Sequence, residues 1–360
     1  MANNNKLTIF QRLNKVLGNE IEGPKYIIDQ NSFKNLSDSD LEQKKLDLNF
    51  WFHDNFFSKL NWSFNPNVDI GLLYKLRAKQ LREKYDYLIL SYSGGADSDQ
   101  ILKTFIQNDI LIDEVICNFP FKLLEKTTPI PDPLHPLGLI FEYQFAAVPS
   151  LKLLAEKSPK TKITLNDFTD FLQTNYLKDN TIVDNEAYLA MTPGFYQDTK
   201  RIFQNRVFND IAETSKKKNV AVIFGADKPI LKIVNNQSLF FYFSDTRTMA
   251  SIIQKTNSKS YVPELFYWSK DAPLIPIQQS HIILNFIKKN KKLKKFLLAQ
   301  SEIENKKYMI KFKETSLVKN LIYPAWENQY QKEVKGADDG IFEYYYNYNI
   351  SDLLKNKNKL

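Results

Sequence analysis

A short loop at residues 93–98 combines residue types that bind phosphate and metal. The loop reads SGGADS and follows the uncharged stretch YLILS at 87–91. Gly94 and Gly95 have no Cβ, so the backbone can adopt positive φ and turn consecutive N–H groups toward one anion. Asp97 would repel a bare phosphate, so its presence indicates a cation that bridges carboxylate and phosphate oxygens. These residue types predict a metal–phosphate site.

The elements on either side of the loop must position it. The apolar stretch before it predicts a strand, and the amphipathic segment after it predicts a helix whose positive N-terminal end attracts anions. The stretch EVICNF at 114–119 predicts a second strand, so the three elements form a βαβ unit with parallel strands. Ligands bind beyond the carboxyl ends of such strands. The predicted ligand-binding residues at this edge are Ser91, Ser93, Gly94, Gly95, Ala96, Asp97, Ser98 and Asn118.

A second informative stretch reads VAVIFGADKPILK and begins at Val220. Residues 220–224 are β-branched, apolar or aromatic and predict a strand, after which Gly225 turns the chain. Asp227 and Lys228 follow directly, so a carboxylate and a cation are expected at the carboxyl end of a parallel strand. The alternative is a strand-to-helix turn in which Asp227 only caps the helix.

Two common nucleotide loops are absent, because the sequence contains neither G-x-x-x-x-G-K-[ST] nor G-x-G-x-x-G after a strand. Instead, SGGADS between a strand and a helix resembles the S-G-G-x-D-S signature of the PP-loop ATP pyrophosphatases, also called adenine nucleotide alpha hydrolases. FGAD at 224–227 resembles the later G-[EY]-G-A-D segment of the asparagine-synthetase and β-lactam-synthetase branch. The resemblance covers about residues 85–245.

This resemblance implies ATP and Mg²⁺ as cofactors and cleavage of ATP to AMP and pyrophosphate, with adenylation of an acceptor. The acceptor is expected to be a carboxylate that an amine or ammonia later attacks. By the same resemblance, Asp97, Asp227 and Lys228 are catalytic, Asp97 and Asp227 hold the metal, and Gly225 joins the cofactor-binding residues. Two carboxylates sharing a cation would lie roughly 4–7 Å apart.

One position departs from that branch. Phe224 stands where an acidic or phenolic side chain is found, and it can neither accept nor donate a proton. The base of the second half-reaction is therefore unassigned. Cys117 is the only cysteine, which excludes subfamilies that depend on several cysteines, and we expect it to be a buried apolar residue of the second strand.

The predicted fold is α/β, with a doubly wound, mainly parallel sheet and helical N- and C-terminal additions. We expect a helical, aromatic N-terminal region at 1–84, a nucleotide-binding domain at 85–290, and a basic, helical and Tyr-rich C-terminal region at 291–360. The proline cluster predicts an irregular excursion over 120–160. Residues 196–219 predict a helix with a basic last turn.

The pattern IGLLYKLRAKQLREKY predicts a helix immediately before the first strand. The spacing of its leucines predicts that they form the buried stripe. Its basic residues are expected to form a solvated face. These leucines are Leu72, Leu73, Leu76 and Leu81, and the basic residues are Lys75, Arg77, Lys79 and Arg82.

Composition sets wider bounds. The 360-residue chain has 43% hydrophobic residues and a net charge of +8, which is an ordinary composition with a basic excess. A single cysteine and the absence of a run of about twenty apolar residues predict a cytoplasmic protein without a membrane partner. The expected partners are ATP and an unidentified acceptor. Two alternatives stay open: action on nucleic acid, suggested by the lysine cluster at 288–295, and nucleotide binding without catalysis, suggested by Phe224.

Overall fold

The computed structural model describes residues 54–57, 59–122, 143–179, 193–226, 228–234, 238–243, 260–289, 319 and 321–326. The chain divides into two compact units. The first, here called the sheet unit, comprises Tyr74–Gly225, Thr256–Phe266 and Tyr323–Leu360. The second, called the hairpin unit, comprises Met1–Leu73, Ala226–Lys255 and Tyr267–Ile322. The domain boundaries expected from sequence stay predictions.

The described part of the chain contains seven strands, seven α-helices and one π-helical turn. The strands are β1 (Tyr87–Tyr92), β2 (Glu114–Phe119), β3 (Lys162–Asp167), β4 (Val220–Phe224), β5 (Pro229–Val234), β6 (Ser238–Phe243) and β7 (Val262–Leu265). The α-helices are α1 (Asp54–Phe57), α2 (Ile70–Lys84), α3 (Ala96–Gln107), α4 (Val148–Lys157), α5 (Thr169–Asp179), α6 (Pro193–Thr214) and α7 (Leu274–Lys289). A π-helical turn, Tyr143–Ala147, leads into α4.

The sheet unit is built on a five-stranded sheet in the order β3-β2-β1-β4-β7, with every neighbouring pair parallel. The predicted strands β1, β2 and β4 and the βαβ unit are confirmed. The chain adds β2 and β3 on one side of β1 and then crosses to β4 on the other side. The strand order therefore reverses between β1 and β4, and both strands end at the same edge.

Helices cover both faces of this sheet, as expected for an α/β fold. The hydroxyl of Tyr92 on β1 donates to Asp99 on α3, which places α3 on the Tyr92 face. Ile223 is aligned with Leu90, so the next residue, Phe224, points to the opposite face. There its ring packs edge-on against Phe208 of α6, with centroids 5.8 Å apart. Strands β2 and β4, buried along their whole length, form the centre of the core.

The helix before β1 is confirmed, but only Leu73 and Leu81 of the four leucines on its predicted buried face are buried. Leu72 and Leu76 are 46% and 53% exposed, whereas Arg77, expected in solvent, is only 1% exposed. The Arg77 guanidinium donates to Glu264 on β7 at 2.7 Å and to the Leu265 carbonyl at 3.1 Å. The buried carboxylate of Glu264 needs a cation, and this requirement outweighs the leucine spacing.

Three other sequence expectations need correction. Part of the stretch expected to be irregular, 120–160, forms α4 and the turn before it. Helix α6 ends at Thr214, so the basic residues Lys216–Lys218 follow the helix and do not form its last turn. Strand β7 was missed because it is short and contains Pro263, which a sheet tolerates at its edge.

The hairpin unit contains β5 and β6, an antiparallel pair, with α7 against β5. The strand or hairpin arm expected at 239–245 is confirmed as β6. Aromatic packing consolidates this unit: the Phe57 ring stacks on Trp268 with centroids 3.9 Å apart, and the Trp62 indole N–H donates to the Phe57 carbonyl at 2.9 Å. Across the described helices, none combines the length and apolar character needed to cross a membrane.

Candidate functional site

The loop between β1 and α3 depends on one glycine in the left-handed region. Gly94 has φ of 83°, a conformation that side chains with a Cβ rarely adopt. Gly95 is extended, with φ of −66° and ψ of 156°. The expectation of positive φ therefore holds for Gly94 and not for Gly95.

The two serines of the loop hold its shape. The Ser93 N–H donates to Ser98 Oγ at 3.2 Å, and Ser98 Oγ donates to the Gly95 carbonyl at 3.1 Å. The Gly95 N–H donates to Ser93 Oγ at 3.3 Å. Ser98 is buried, so its hydroxyl is a structural brace within the loop. Two of the N–H groups expected to face a ligand are thus engaged by local hydroxyls.

The N-terminus of α3 has the properties of an anion site. Gly95 occupies the N-cap position and no side chain caps the helix there. The first-turn N–H groups of a helix have no intrahelical acceptors, and the helix dipole adds positive potential at this end. A phosphate at this point would accept from those amides. The donor set therefore fits the phosphate group that the sequence predicts.

The two carboxylates of the first turn of α3 have different surroundings. Asp99 is buried, and its Oδ1 accepts from the Tyr92 hydroxyl at 2.9 Å and from Ser150 Oγ at 2.6 Å. The Lys103 ammonium lies 2.9 Å from its Oδ2. Burial, together with the Asp99 charge, raises the pKa of Tyr92 well above its ordinary value, so the phenol stays a donor. Asp99 is a structural anchor of α3.

Asp97 is half-buried and contacts a distant part of the chain. Its Oδ1 accepts from the hydroxyl of Tyr323 at 2.6 Å, across a separation of 226 residues. Nearby, the Ala325 N–H donates to Gln100 Oε1 at 2.8 Å. Sequence analysis did not identify Tyr323 or Gln100, because no spacing pattern connects the C-terminal region to α3.

Gly225, at the end of β4, lies directly against the start of α3. A Cβ at this position would stand 2.9 Å from the Asp97 carbonyl carbon, 3.0 Å from the Asp97 Cβ and 3.1 Å from the Ser98 nitrogen. Only a glycine allows this approach without displacing the backbone. The structure thus brings Asp97 and Ser98 of the first motif next to the glycine of the second.

A polar cluster follows β2 at the same edge of the sheet. Asn118 is 1% exposed, its Oδ1 accepts from Asn166 at 3.0 Å, and its Nδ2 has no hydrogen-bond partner in the described part of the chain. The Lys200 ammonium, also buried, lies 5.4 Å from the Phe119 ring centroid. A buried amide donor without an acceptor is costly, so Asn118 suits a ligand that accepts a hydrogen bond. Lys200 was not identified from sequence.

Cys117 lies on β2, directly before Asn118, and is buried. Burial raises the pKa of its thiol to about 12, and the charge of Lys200 offsets this only in part. The thiol is therefore neutral near pH 7, as expected for an apolar residue of β2.

The remaining predicted residues are placed as follows. Ser91 lies half-buried within β1 and Ala96 is buried at the first position of α3. Lys228 is buried in the hairpin unit. Asp227 lies outside the described residues, so the expected distance between its carboxylate and that of Asp97 stays a prediction. Among the residues described, no three His, Cys, Asp or Glu groups lie close enough together to hold a metal ion.

Comparison of the chain with protein-family models, curated proteins and solved structures finds no match. Interpretation of function therefore depends on the residues gathered at the β1–β4 edge.

Proposed function

We propose that this protein is a PP-loop-type ATP pyrophosphatase with a doubly wound sheet, which binds Mg²⁺ and ATP over residues 93–98 and adenylates an acceptor. One observation carries the proposal: Gly225, after β4, packs against Asp97 and Ser98 at the start of α3. Two motifs chosen independently from sequence therefore meet at one point. The parallel pairing of β1 with β4 brings the two segments to one edge, and the close approach of Gly225 to Asp97 and Ser98 requires a glycine there.

The position of this meeting point supports nucleotide binding. In open parallel sheets, ligands bind where the strand order reverses, beyond the carboxyl ends. Here the reversal lies between β1 and β4. The uncapped start of α3 and the left-handed Gly94 supply backbone donors for phosphate oxygens.

Several of the predicted residues then have a role in binding. The backbone of Gly94, Gly95 and Ala96 accommodates the phosphates, and the free Nδ2 of Asn118 donates to an acceptor on the nucleotide. Asp97 and Asp227 hold Mg²⁺, which when bound neutralises charge on the departing pyrophosphate. Lys228 adds positive charge for the same leaving group.

The proposed reaction has two steps. A carboxylate oxygen of the acceptor attacks the α-phosphorus of ATP, and the bond from the α-phosphorus to the bridging oxygen breaks to release pyrophosphate. An amine or ammonia then attacks the acyl carbon, AMP leaves, and the nitrogen loses a proton. Phe224 is buried against Phe208 and serves the core, so another group must take that proton.

The products of ATP turnover test the proposal. Purified protein, Mg²⁺ and α-labelled ATP are incubated with a panel of carboxylic acids and amines, and nucleotides and pyrophosphate are quantified. We expect AMP and pyrophosphate, with loss of both in Asp97→Ala. Asp86→Asn, at an exposed position at the other end of β1, is the matched control. ADP and orthophosphate as main products, or equal ATP affinity with and without Mg²⁺, would contradict the proposal.

A further inference from the structure

A C-terminal segment runs beside the first turn of α3. Residues 323–326 make two hydrogen bonds to this helix: the Tyr323 hydroxyl to Asp97 Oδ1, 2.6 Å, and the Ala325 N–H to Gln100 Oε1, 2.8 Å. Asp97 and Gln100 are three residues apart and therefore share one face of α3. Tyr323 is 1% exposed, and Gln100, which also donates to Thr104 Oγ1, is 2% exposed. Both hydrogen bonds are partly buried, and each joins one specific pair of groups.

The bond between Tyr323 and Asp97 concerns the carboxylate to which the metal is assigned. The Tyr323 hydroxyl donates and the Asp97 carboxylate accepts. Hydrogen bonds to an ionised acceptor are shorter and stronger than neutral ones, and 2.6 Å is in that range. The side chain of Asp97 is thereby held in one orientation.

We propose that Tyr323 is a positioning residue that orients the Asp97 carboxylate for Mg²⁺, which makes the segment 323–326 part of the nucleotide site. This inference rests on the proposed function and assigns it a residue that neither sequence motif contains. Metal-binding carboxylates are commonly held by a second hydrogen-bonded group, and removal of that group costs about 10-fold to 100-fold in metal affinity or activity. Without the hydroxyl, Asp97 would have to be ordered by the metal itself.

Tyr323→Phe tests the role because it removes only the hydroxyl. ATP affinity is measured by titration calorimetry over a series of Mg²⁺ concentrations, with the full-length protein. We expect the Mg²⁺ concentration for half-maximal effect to rise about 10-fold to 100-fold, while ATP affinity without Mg²⁺ stays unchanged. The matched control is Tyr261→Phe, which removes a buried hydroxyl that donates to Asn205 at 3.1 Å within the same unit.

The outcomes separate this inference from the proposed function. If the parent protein binds ATP with clear Mg²⁺ dependence and Tyr323→Phe has the same dependence, Tyr323 has no positioning role. If the parent shows no Mg²⁺ dependence, the proposed function itself fails. Should circular dichroism find Tyr323→Phe unfolded, Ala325→Pro decides the question, because it removes the N–H that Gln100 accepts. A raised Mg²⁺ requirement supports the inference, and an unchanged one overturns it.

Discussion

At the scale of single residues, Gly94 and Gly225 are required for different physical reasons. Gly94 is needed for its backbone angle, since φ of 83° strains any residue with a Cβ. Gly225 is needed for space, since a Cβ there would meet the Asp97 and Ser98 backbone within about 3 Å. Gly94 therefore determines the shape of the loop, and Gly225 allows the end of β4 to pack against the start of α3.

Gly225→Ala should therefore disturb the loop more than the fold. The added methyl forces the start of α3 to move, and overpacking of this kind costs about 1–3 kcal/mol. We expect ATP binding to weaken by at least about 10-fold, which is the equivalent of 1.4 kcal/mol. Calorimetric titration with Mg²⁺ and ATP measures the affinity, and thermal unfolding measures the stability.

Gly71→Ala is the matched control for this substitution. A Cβ at Gly71 would meet only Asp69 Oδ1, which accepts from the Leu72 N–H at 2.9 Å at the start of α2. Gly71 is the second residue of α2, so alanine there tests a crowded glycine outside the loop at 93–98 and should leave ATP binding unchanged. Equal ATP affinity in both variants would show that the contact between Gly225 and α3 has no part in binding.

Sequence analysis could propose the candidate site residues that are close together along the chain. Gly94 and Asp97 lie within six consecutive residues, so residue types alone were enough to select them. Tyr323 and Gln100 are different, because their importance comes from tertiary contacts: their hydrogen bonds join α3 to the segment 323–326 across 226 and 225 residues. No local pattern carries that information.

At the scale of elements, α2 illustrates how a buried charge overrides an apolar pattern. Glu264 on β7 accepts from Arg77 at 2.7 Å, pairs with Lys84 at 2.9 Å and accepts from the Tyr85 hydroxyl. Burial alone would raise the pKa of Glu264, but these partners hold it below its ordinary value. The same carboxylate and burial raise the pKa of Tyr85 to about 12, so the phenol remains a donor.

This cluster makes stability depend on acid. Since the pKa of Glu264 is lower in the folded state than its ordinary value of 4.5, its contribution is complete above pH 4.5 and disappears as the pH falls through the folded pKa. Glu264→Gln should remove this acid-dependent part. It also leaves Arg77 buried without its counter-charge, so stability at pH 7 should fall by about 3–5 kcal/mol.

Urea unfolding between pH 7 and pH 3 measures both effects in parent and variant. Glu83→Gln, at an exposed position of α2, provides the control and should follow the parent curve. If Glu264→Gln loses stability with acid as steeply as the parent does, the acid sensitivity has another source.

At the scale of the whole molecule, the βαβ pattern was sufficient to predict a parallel sheet, and β1, β2 and β4 are confirmed. The edge strand β7 and the hairpin partner β5 were not predicted, since β7 has only four residues and contains Pro263, and β5 begins with Pro229. The basic charge gives little information about function from the structure. Of the lysine cluster at 288–295, only Lys288 and Lys289 are described, and both are exposed at the end of α7.

The arrangement of the chain around β4 also bears on Asp227. A helix-capping role was the alternative explanation for this residue, but the next described element is strand β5, which begins at Pro229. The chain thus continues past Asp227 and Lys228 into a strand, which removes the helix-cap explanation.

A double-mutant cycle on Asp97 and Asp227 tests whether the two carboxylates bind one cation. If they do, removing either carboxylate prevents binding of the same cation. Asp97→Asn and Asp227→Asn should then each slow pyrophosphate release by roughly 100-fold or more. The double variant should be little slower than either single variant. Unfolding free energies should change little, because two nearby carboxylates repel each other without a metal. Asp86→Asn, an exposed carboxylate at the other end of β1, should keep the parental rate. Losses that multiply in the double variant would mean that the two residues act independently, and Asp227 would then have no place in the metal site.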